Sequence, residues 1–461
     1  MNTRVPALVV GAGISGLVCA YALRKAGIDA HIVEAGSHPG GIIRSQRSDG
    51  FLLELGPQSF SATPPIRALC QELGLAPEIV EAPQRAPRFV LVDGALKQVP
   101  LSPPAFLATG LFSVRTKWSL LRDALGRSAA PAEEESVAAF ARRKFSAELL
   151  DKLVGPFVSG IYAGDPERLS LRAAFPQLYE AERTAGSVIR GMMRAAKSTE
   201  GPKQRPALQS FREGNATLMQ ALAAKLGPAL RFGAEVRSVS RTEGESAGKS
   251  DSFSVLLHAQ GEEQTIETQS LVVATPTNTA AQLLRNIDTA FEPLFAGIEY
   301  APVAIVSLGY RRSEVGHTLD GFGFLVPRSA RLQTLGTVWN SSVFPNRAPE
   351  GQVLLTSFVG GATNPQAVGL SGEELVALVH REIAPLLAIR QPPVFSNVEF
   401  YSRAIPQYNL GHAERIEKLM SLREKHSNLW LAGNYLRGPA IGACVEHALE
   451  VAEQVGKRTK Q

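Results

Sequence analysis

The sequence predicts a mixed chain, part α/β and part α+β, in which a strand–helix–strand unit made of separate stretches is interrupted by a β-rich unit and a helical unit. Three observations predict it. Within the first thirty-four residues a strand, a glycine turn, a helix and a second strand follow one another. Strand-like runs that suit the same layer recur at 231–236, 271–276 and around LWLAGNY near the end. Between these lie a stretch of about 102–206 with few strand signals and many helical ones, and one of about 287–425 in which β runs alternate with helices.

At 461 residues the chain exceeds what one ordinary core accommodates. Its 44% hydrophobic and 20% charged residues are those of a folded globular protein. A net charge of +5 over this length is far below a nucleic-acid binder's density, so no nucleic acid is expected. The mild excess suits an anionic substrate or an anionic membrane surface. Cys19, Cys70 and Cys444 lie far apart without metal-ligand spacing, so no metal is expected and a reducing compartment is. Met1 to Pro6 run straight into a strand, with no signal or transit pattern. No apolar run reaches the length of a membrane span. These readings predict a cytoplasmic protein whose membrane contact, if any, is peripheral on the inner face of the cell membrane.

The elements follow in order. PALVV (6–10) reads as a buried strand, and GAGISG brings Gly11, Gly13 and Gly16. The next run, LVCAYALRKAG, reads as a helix ended by Gly27, and DAHIVE as a strand ended by Glu34. Gly11 permits a tight turn, Gly13 lets backbone approach a pyrophosphate, and Gly16 lets the helix pack close to the sheet. The helix N-terminus offers N–H groups and its positive dipole end to phosphates. Glu34 can accept hydrogen bonds from a ribose diol. A βαβ turn without a nucleotide is the alternative, and the acid at the end of the second strand argues against it.

After Glu34 comes AGSHPGGIIRS, with Gly40, Gly41 and then Arg44. An arginine there can pair bidentately with phosphate. The run resembles the second signature of amine-oxidase-like flavoproteins, which implies FAD rather than NAD. The alternative is a surface loop. Segments RFGAEV (231–236) and LVVATP (271–276) read as β, separated by a polar Gly/Ser-rich hairpin around 243–251. Gly433 and Asn434 lie between a strand, LWL, and a helix, ACVEHALEVAEQV. They place a second helix N-terminus towards a cofactor.

In the helical stretch, Phe106, Leu107, Leu111, Phe112, Trp118 and Leu121 interleave with Arg115, Lys117, Arg122 and Arg127. Basic residues beside Trp and Phe suit an element resting on a bilayer. A core helix with a solvated basic face is the commoner origin of such a pattern.

In this order, GAGISGL, PGGIIRS, LELGPQSF, APRFVLVDGALKQVPLSPP, SGIYAGDPERLS, GFGFLVP, SSVFPNRAP, VGGATNP, IPQYNLGH and LAGNY resemble the oxygen-dependent protoporphyrinogen oxidase family of haem and chlorophyll biosynthesis over essentially the whole chain. The resemblance implies a discontinuous Rossmann-like FAD domain (1–85, 207–286, 426–461), a β-rich substrate domain (86–101, 287–425) and a helical domain (102–206). It implies oxidation of a porphyrinogen by FAD and O2 with release of hydrogen peroxide. The cofactor then carries the chemistry, in keeping with the lack of a Ser/His/Asp or paired-carboxylate signature.

Carried over by position, Arg88 pairs with a substrate propionate, Leu325 and Phe344 hold the macrocycle, and Gly160 brings its carbonyl near the reacting edge. Gln58 stands where the family has Asn near the flavin N5. Gly56, Pro57, Val236, Ala274 and Ile441 join the glycines, Glu34, Arg44 and Asn434 as cofactor contacts. Two departures stand out. Gln58 reaches one methylene further than Asn, and Pro439 replaces a valine after LAGNY and removes a donor. Oxidation of coproporphyrinogen III on the same scaffold is a cousin reading, favoured by a more cationic pocket. An amine oxidase would not need VFPNRAP or QYNLGH. A flavin-free protein like the GDP-dissociation inhibitors would leave Glu34, Arg44 and Asn434 without a task. A homodimer is left open.

Overall fold

The computed structural model describes residues 3–127, 129–198, 207–242 and 252–459. Thr3–Val10 is the centre of a seven-stranded sheet. Ala30–Val33 and Glu262–Val273 flank it, both parallel, with Val10 opposite Val33 on one side and Val273 on the other. Leu230–Arg231 extends one edge, and Leu429–Leu431 pairs with the far end of Glu262–Val273. The apolar run of the central strand feeds two cores by its period of two. Ala7 and Val9 pack with Leu17, Ala20 and Leu23 of the Ile14–Lys25 helix and with Val445, Ala448 and Ala452 of the Ile441–Thr459 helix. Leu8 and Val10 face Phe253, Leu257, Phe291 and Leu419. Being covered on both faces is what allows a parallel strand to be continuously hydrophobic.

The middle stretch holds one strand more than the sequence reading has. Ala234–Thr242, Ser252–Ala259 and Glu262–Val273 form an antiparallel run, and the expected hairpin at 243–251 lies outside the described residues. The alternation of SFSVLLHA, buried at every second residue, was the signal for the extra strand.

The second seven-stranded sheet runs Phe395–Pro406, Tyr300–Arg311, Gln352–Gly360, Thr334–Val338, Gly323–Leu325, Arg88–Val92, Ala95–Gln98. The Gly372–Leu387 helix covers its outer face through Leu375, Val379 and Ile383 against Ala304, Val306 and Leu308. Its inner face looks back at the nucleotide unit, where Phe51 stacks on Phe395 with ring centroids 4.6 Å apart. Among the described residues of 103–198 the regular structure is helical.

The Val114–Leu125 helix is turned inside out. Its buried residues are Thr116, Ser119 and Asp123. Asp123 pairs with Lys144 at 2.8 Å and accepts from the Ile189 N–H at 3.0 Å. Thr116 donates to Glu148 at 2.6 Å. Its apolar residues face outward instead: Val114 is 81% exposed, Trp118 63% and Leu125 75%, with Leu121 and Leu107 also exposed. Leu111 and Phe112 do not join them but are buried against Val90 and Leu149, with Phe106 stacked on Phe112. Among the described residues no helix is long and apolar enough to cross a membrane.

Candidate active site

The two glycine signatures form one cradle. Gly11 turns with φ +102°, and a Cβ on it would lie 2.8 Å from the Ala274 carbonyl oxygen. A Cβ on Gly16 would lie 1.9 Å from the Gly11 oxygen, so helix and turn touch there. Gly13 differs: its Cβ would meet no atom within 4 Å, and its φ of −67° is ordinary. It caps the Ile14–Lys25 helix without a side-chain hydrogen bond, and no acid lies in the first turn. The positive helix end thus opens into free space. Beside it Gly40 donates to the Ala12 carbonyl at 2.7 Å, and Gly41 sits so that its Cβ would be 3.6 Å from the Gly13 Cα. Gly56 is pressed on the same loop, its Cβ position 2.0 Å from the Ile42 oxygen, and Pro57 follows, its carbonyl accepting from Asn215 Nδ2 at 2.7 Å.

Glu34 accepts from the Ala12 and Gly36 N–H groups, each at 2.7 Å. A carboxylate has about four acceptor directions, so capacity for a ribose diol remains. Arg44 reaches across to Glu399 of the second sheet at 3.3 Å. Ala274 donates to Val10 and underlies the first turn, with the hydroxyl of Thr275 beside it buried and unpartnered. Val236 is half-buried at a bulge of its strand, packed in the second core of the sheet. Ile441 opens the last helix, which has no acid in its first turn. An open helix terminus, a glycine cradle, an orphan hydroxyl and a partly committed acid fit the pyrophosphate and ribose of a dinucleotide.

The motifs QYNLGH and LAGNY meet in space. Tyr408 donates to the Asn434 carbonyl, and His412 Nε2 contacts the Tyr435 carbonyl at 3.0 Å. Gln407 donates to the Tyr162 carbonyl at 2.8 Å, tying in SGIYAG. Burial pushes the His412 imidazole down to about 4, so it is neutral near pH 7.

On the second sheet, register places one row across the inner face: Val90, Leu325, Gly336, Phe358, Ile305, Glu399. Paired residues share a face, so Leu325 and Phe358 flank Gly336, which has no side chain. Arg88 lies on that face too, two residues before Val90. It is half-buried, its guanidinium 5.3 Å from the Phe322 ring centroid. Gly160, on the Gly155–Tyr162 helix, closes over the row, since a Cβ there would be 2.7 Å from Leu325 Cδ2. The structure thus brings Arg88, Leu325 and Gly160 together.

It does not bring Phe344 with them. Phe344 is buried with Ala82 and Val343 under the Arg347 guanidinium, 5.4 Å from its centroid. The aromatic on the face is Phe358, which sequence reasoning passed over; VGGATNP, immediately after it, was the available signal. Also missed was the buried pair under VFPNRAP. Arg347 lies 3.4 Å from Glu54, which accepts from Ser45 at 2.6 Å and from the Asn215 N–H at 3.0 Å. Burial pushes the Glu54 carboxyl up to about 7, against the pull of Arg347.

The family described as flavin containing amine oxidoreductase matches residues 14–456. A chloroplastic protoporphyrinogen oxidase of Nicotiana tabacum is 34% identical over 97% of this chain and 85% of its own length. A coproporphyrinogen III oxidase of Bacillus subtilis is 27% identical over 95% of each. The crystal structure of a protein from Exiguobacterium sp. 255-15 shares the fold, with a TM-score of 0.81 at 24% identity over 99% of both chains. With the cradle described above, these place FAD as the cofactor: the chain belongs to the flavin-containing amine oxidoreductase family, as an FAD-dependent oxidoreductase akin to the protoporphyrinogen oxidases.

Proposed function

We propose that the protein oxidises protoporphyrinogen IX to protoporphyrin IX with FAD and O2, releasing hydrogen peroxide, in haem biosynthesis. The observation that carries this is the inner face of the second sheet, where a cation, Arg88, stands beside the apolar row of Leu325 and Phe358. A flat tetrapyrrole with carboxylate arms asks for that combination. FAD, when bound, supplies the two-electron acceptor and its reoxidation by O2. The chain's residues do the rest. Gly11, Gly13, Gly40 and Gly41 admit the pyrophosphate, Glu34 takes the ribose, and Arg88 holds a propionate. Leu325 and Phe358 exclude water from the ring faces, and Gly160 leaves room at its edge. In this reading, 1–85, 207–286 and 426–461 hold the cofactor, 86–101 and 287–425 the substrate, and 102–206 the outer wall.

Arg88→Ala is expected to raise KM about ten- to hundredfold, as loss of a charged hydrogen bond does, with kcat little changed because the contact is uniform binding. An unchanged KM removes Arg88 from the site. The coproporphyrinogen reading is tested by following porphyrin fluorescence with both substrates under air. Arg44, a further cation near this face, is already matched by Glu399, while Lys97 pairs in register with Val90 at the end of the row. A preference for the tetracarboxylate overturns the assignment.

The outward stripe of Val114, Trp118, Leu121 and Leu125, with Arg115, Lys117 and Arg122 on the same helix, supports peripheral contact with an anionic bilayer. Trp118→Ser with Leu125→Ser should cut co-flotation with anionic liposomes several-fold while leaving the melting temperature in place, since neither side chain is in the core. Unchanged flotation assigns the stripe to another surface.

A further inference from the structure

Gln58 and Asn340 stand 282 residues apart in sequence, yet Asn340 Nδ2 donates to Gln58 Oε1 at 2.7 Å. Gln58 lies in the turn after the Phe51–Glu54 strand; Asn340 opens the short Asn340–Val343 helix at the end of the second sheet. The bond therefore joins the cofactor cradle to the substrate face. Both protons of Gln58 Nε2 are also committed, to the carbonyls of Glu54 at 3.0 Å and Gly56 at 2.9 Å. Turning the amide over would set Oε1 against two carbonyls and Nε2 against another donor, so one orientation is enforced.

Asn340 is itself fixed. It is buried and follows Trp339, which is fully buried between Phe89 and His317 with centroids 5.4 and 4.9 Å away. Asn340 Oδ1 is buried and has no hydrogen-bond partner among the described residues. An unmet buried acceptor carries a desolvation cost that a leucine, branched in the same way, would avoid. Filling space is thus a poor account of an asparagine here. The turn meets the cradle at Gly56, which is pressed on the Ile42 carbonyl of the Gly40–Arg44 loop, so a shift at Gln58 is passed on to that loop.

We propose that Asn340 is a positioning residue that sets the Gln58 amide and, through it, the Gly56–Pro57–Gln58 turn against the FAD cradle. The proposal rests on the assignment of Gln58 to the flavin edge. Residues 58 and 340 then form a matched pair. Glutamine spans the distance to Asn340, and an asparagine at 58 falls one methylene short.

The test uses the full-length holoenzyme carrying Asn340→Leu, Gln58→Leu, both changes, or Gln58→Asn. It reads the visible absorption bands of the bound flavin and the FAD dissociation constant by equilibrium dialysis. Asn340→Leu and Gln58→Leu are each expected to shift the bands and weaken FAD about two- to tenfold, the range of one hydrogen bond. The double variant should be no worse than the worse single one, because both changes cut one path. Gln58→Asn should reproduce Asn340→Leu, and it carries the test should Asn340→Leu fail to fold. If Gln58→Leu moves the flavin signals and Asn340→Leu does not, the positioning role is wrong and the flavin-edge assignment stands. Additive effects in the double variant also overturn it. Flavin signals unmoved by either single change overturn the assignment and the proposal together.

Discussion

Gly13→Ala and Gly16→Ala, three residues apart, are expected to fail in different ways. The Gly16 Cβ would stand 1.9 Å from the Gly11 carbonyl oxygen, so helix and turn must separate. Overpacking of this kind costs about 1–3 kcal/mol. The site it distorts is the phosphate turn, so Gly16→Ala should lower the melting temperature and purify largely without flavin. Gly13→Ala meets nothing within 4 Å and needs no unusual φ. Alanine is a poorer N-cap than glycine, a loss that its lower entropy in the unfolded chain offsets in part. The flavin-free protein should therefore melt close to the unaltered chain and well above Gly16→Ala. Its FAD affinity should nevertheless drop, by about ten- to hundredfold, because the added methyl occupies the space through which backbone N–H groups reach phosphate. Melting curves of the stripped proteins, set beside FAD titrations, separate the two. A Gly13→Ala protein that keeps full affinity would show that the pyrophosphate lies elsewhere.

The second large effect is expected at Arg347. Arg347→Leu leaves the Glu54 carboxylate buried without its countercharge, a change that costs about 3–5 kcal/mol. The cost should depend on pH, with a definite sign. Glu54 titrates at about 7 in the folded chain against an ordinary 4.5. A carboxyl raised in this way takes up a proton on folding. Its contribution to stability is full below pH 4.5 and is lost as pH rises through 7. Without Arg347 the upward push of burial is unopposed, so the deficit should be largest at pH 8 and shrink towards pH 6. Glu54→Gln added to Arg347→Leu should restore most of the loss at pH 8, since the isolated charge is gone. Urea unfolding at the two pH values measures this. A deficit that ignores pH and survives Glu54→Gln would trace the loss to the vacated volume instead.

What the sequence could disclose follows the range of the forces involved. The phosphate cradle was legible because its parts are local: Gly11, Gly13 and Gly16 must stand at fixed steps, and Glu34 must end the next strand. The returning strands at 271–273 and 429–431 could be read because buried parallel strands are plainly apolar. The substrate face could not be read in the same way. It is assembled by register, and only the pairing of Gly336 with Leu325 on one side and Phe358 on the other shows which aromatic shares the inner face with Leu325. Phe344 and Phe358 both sit in apolar runs and look alike in one dimension. The Val114–Leu125 helix carried a legible amphipathic pattern, but which side faces inward depends on Glu148, Lys144 and Ser187 waiting to receive Thr116 and Asp123. Gln58 and Asn340 are joined across most of the chain, and nothing in either neighbourhood announces the other.

The order of strands in the nucleotide sheet has a consequence for how the protein is made. Thr3–Val10 is made some 250 residues before its parallel neighbour Glu262–Val273, and the strand beyond that, Leu429–Leu431, comes about 160 residues later still. At 5–20 residues per second the first strand waits on the order of 20–80 s for the sheet to be complete. For roughly the first 13–50 s of that interval, until Glu262–Val273 has been made, an intensely apolar edge, VPALVV, has only Ala30–Val33 beside it. The phosphate turn therefore stands on an incomplete sheet while most of the chain is being made. A chain cut short before Leu429 would lack both the last strand and the helix that packs on Ile14–Lys25, and would leave the emerging protein with a half-built phosphate site and a persistent tendency to aggregate.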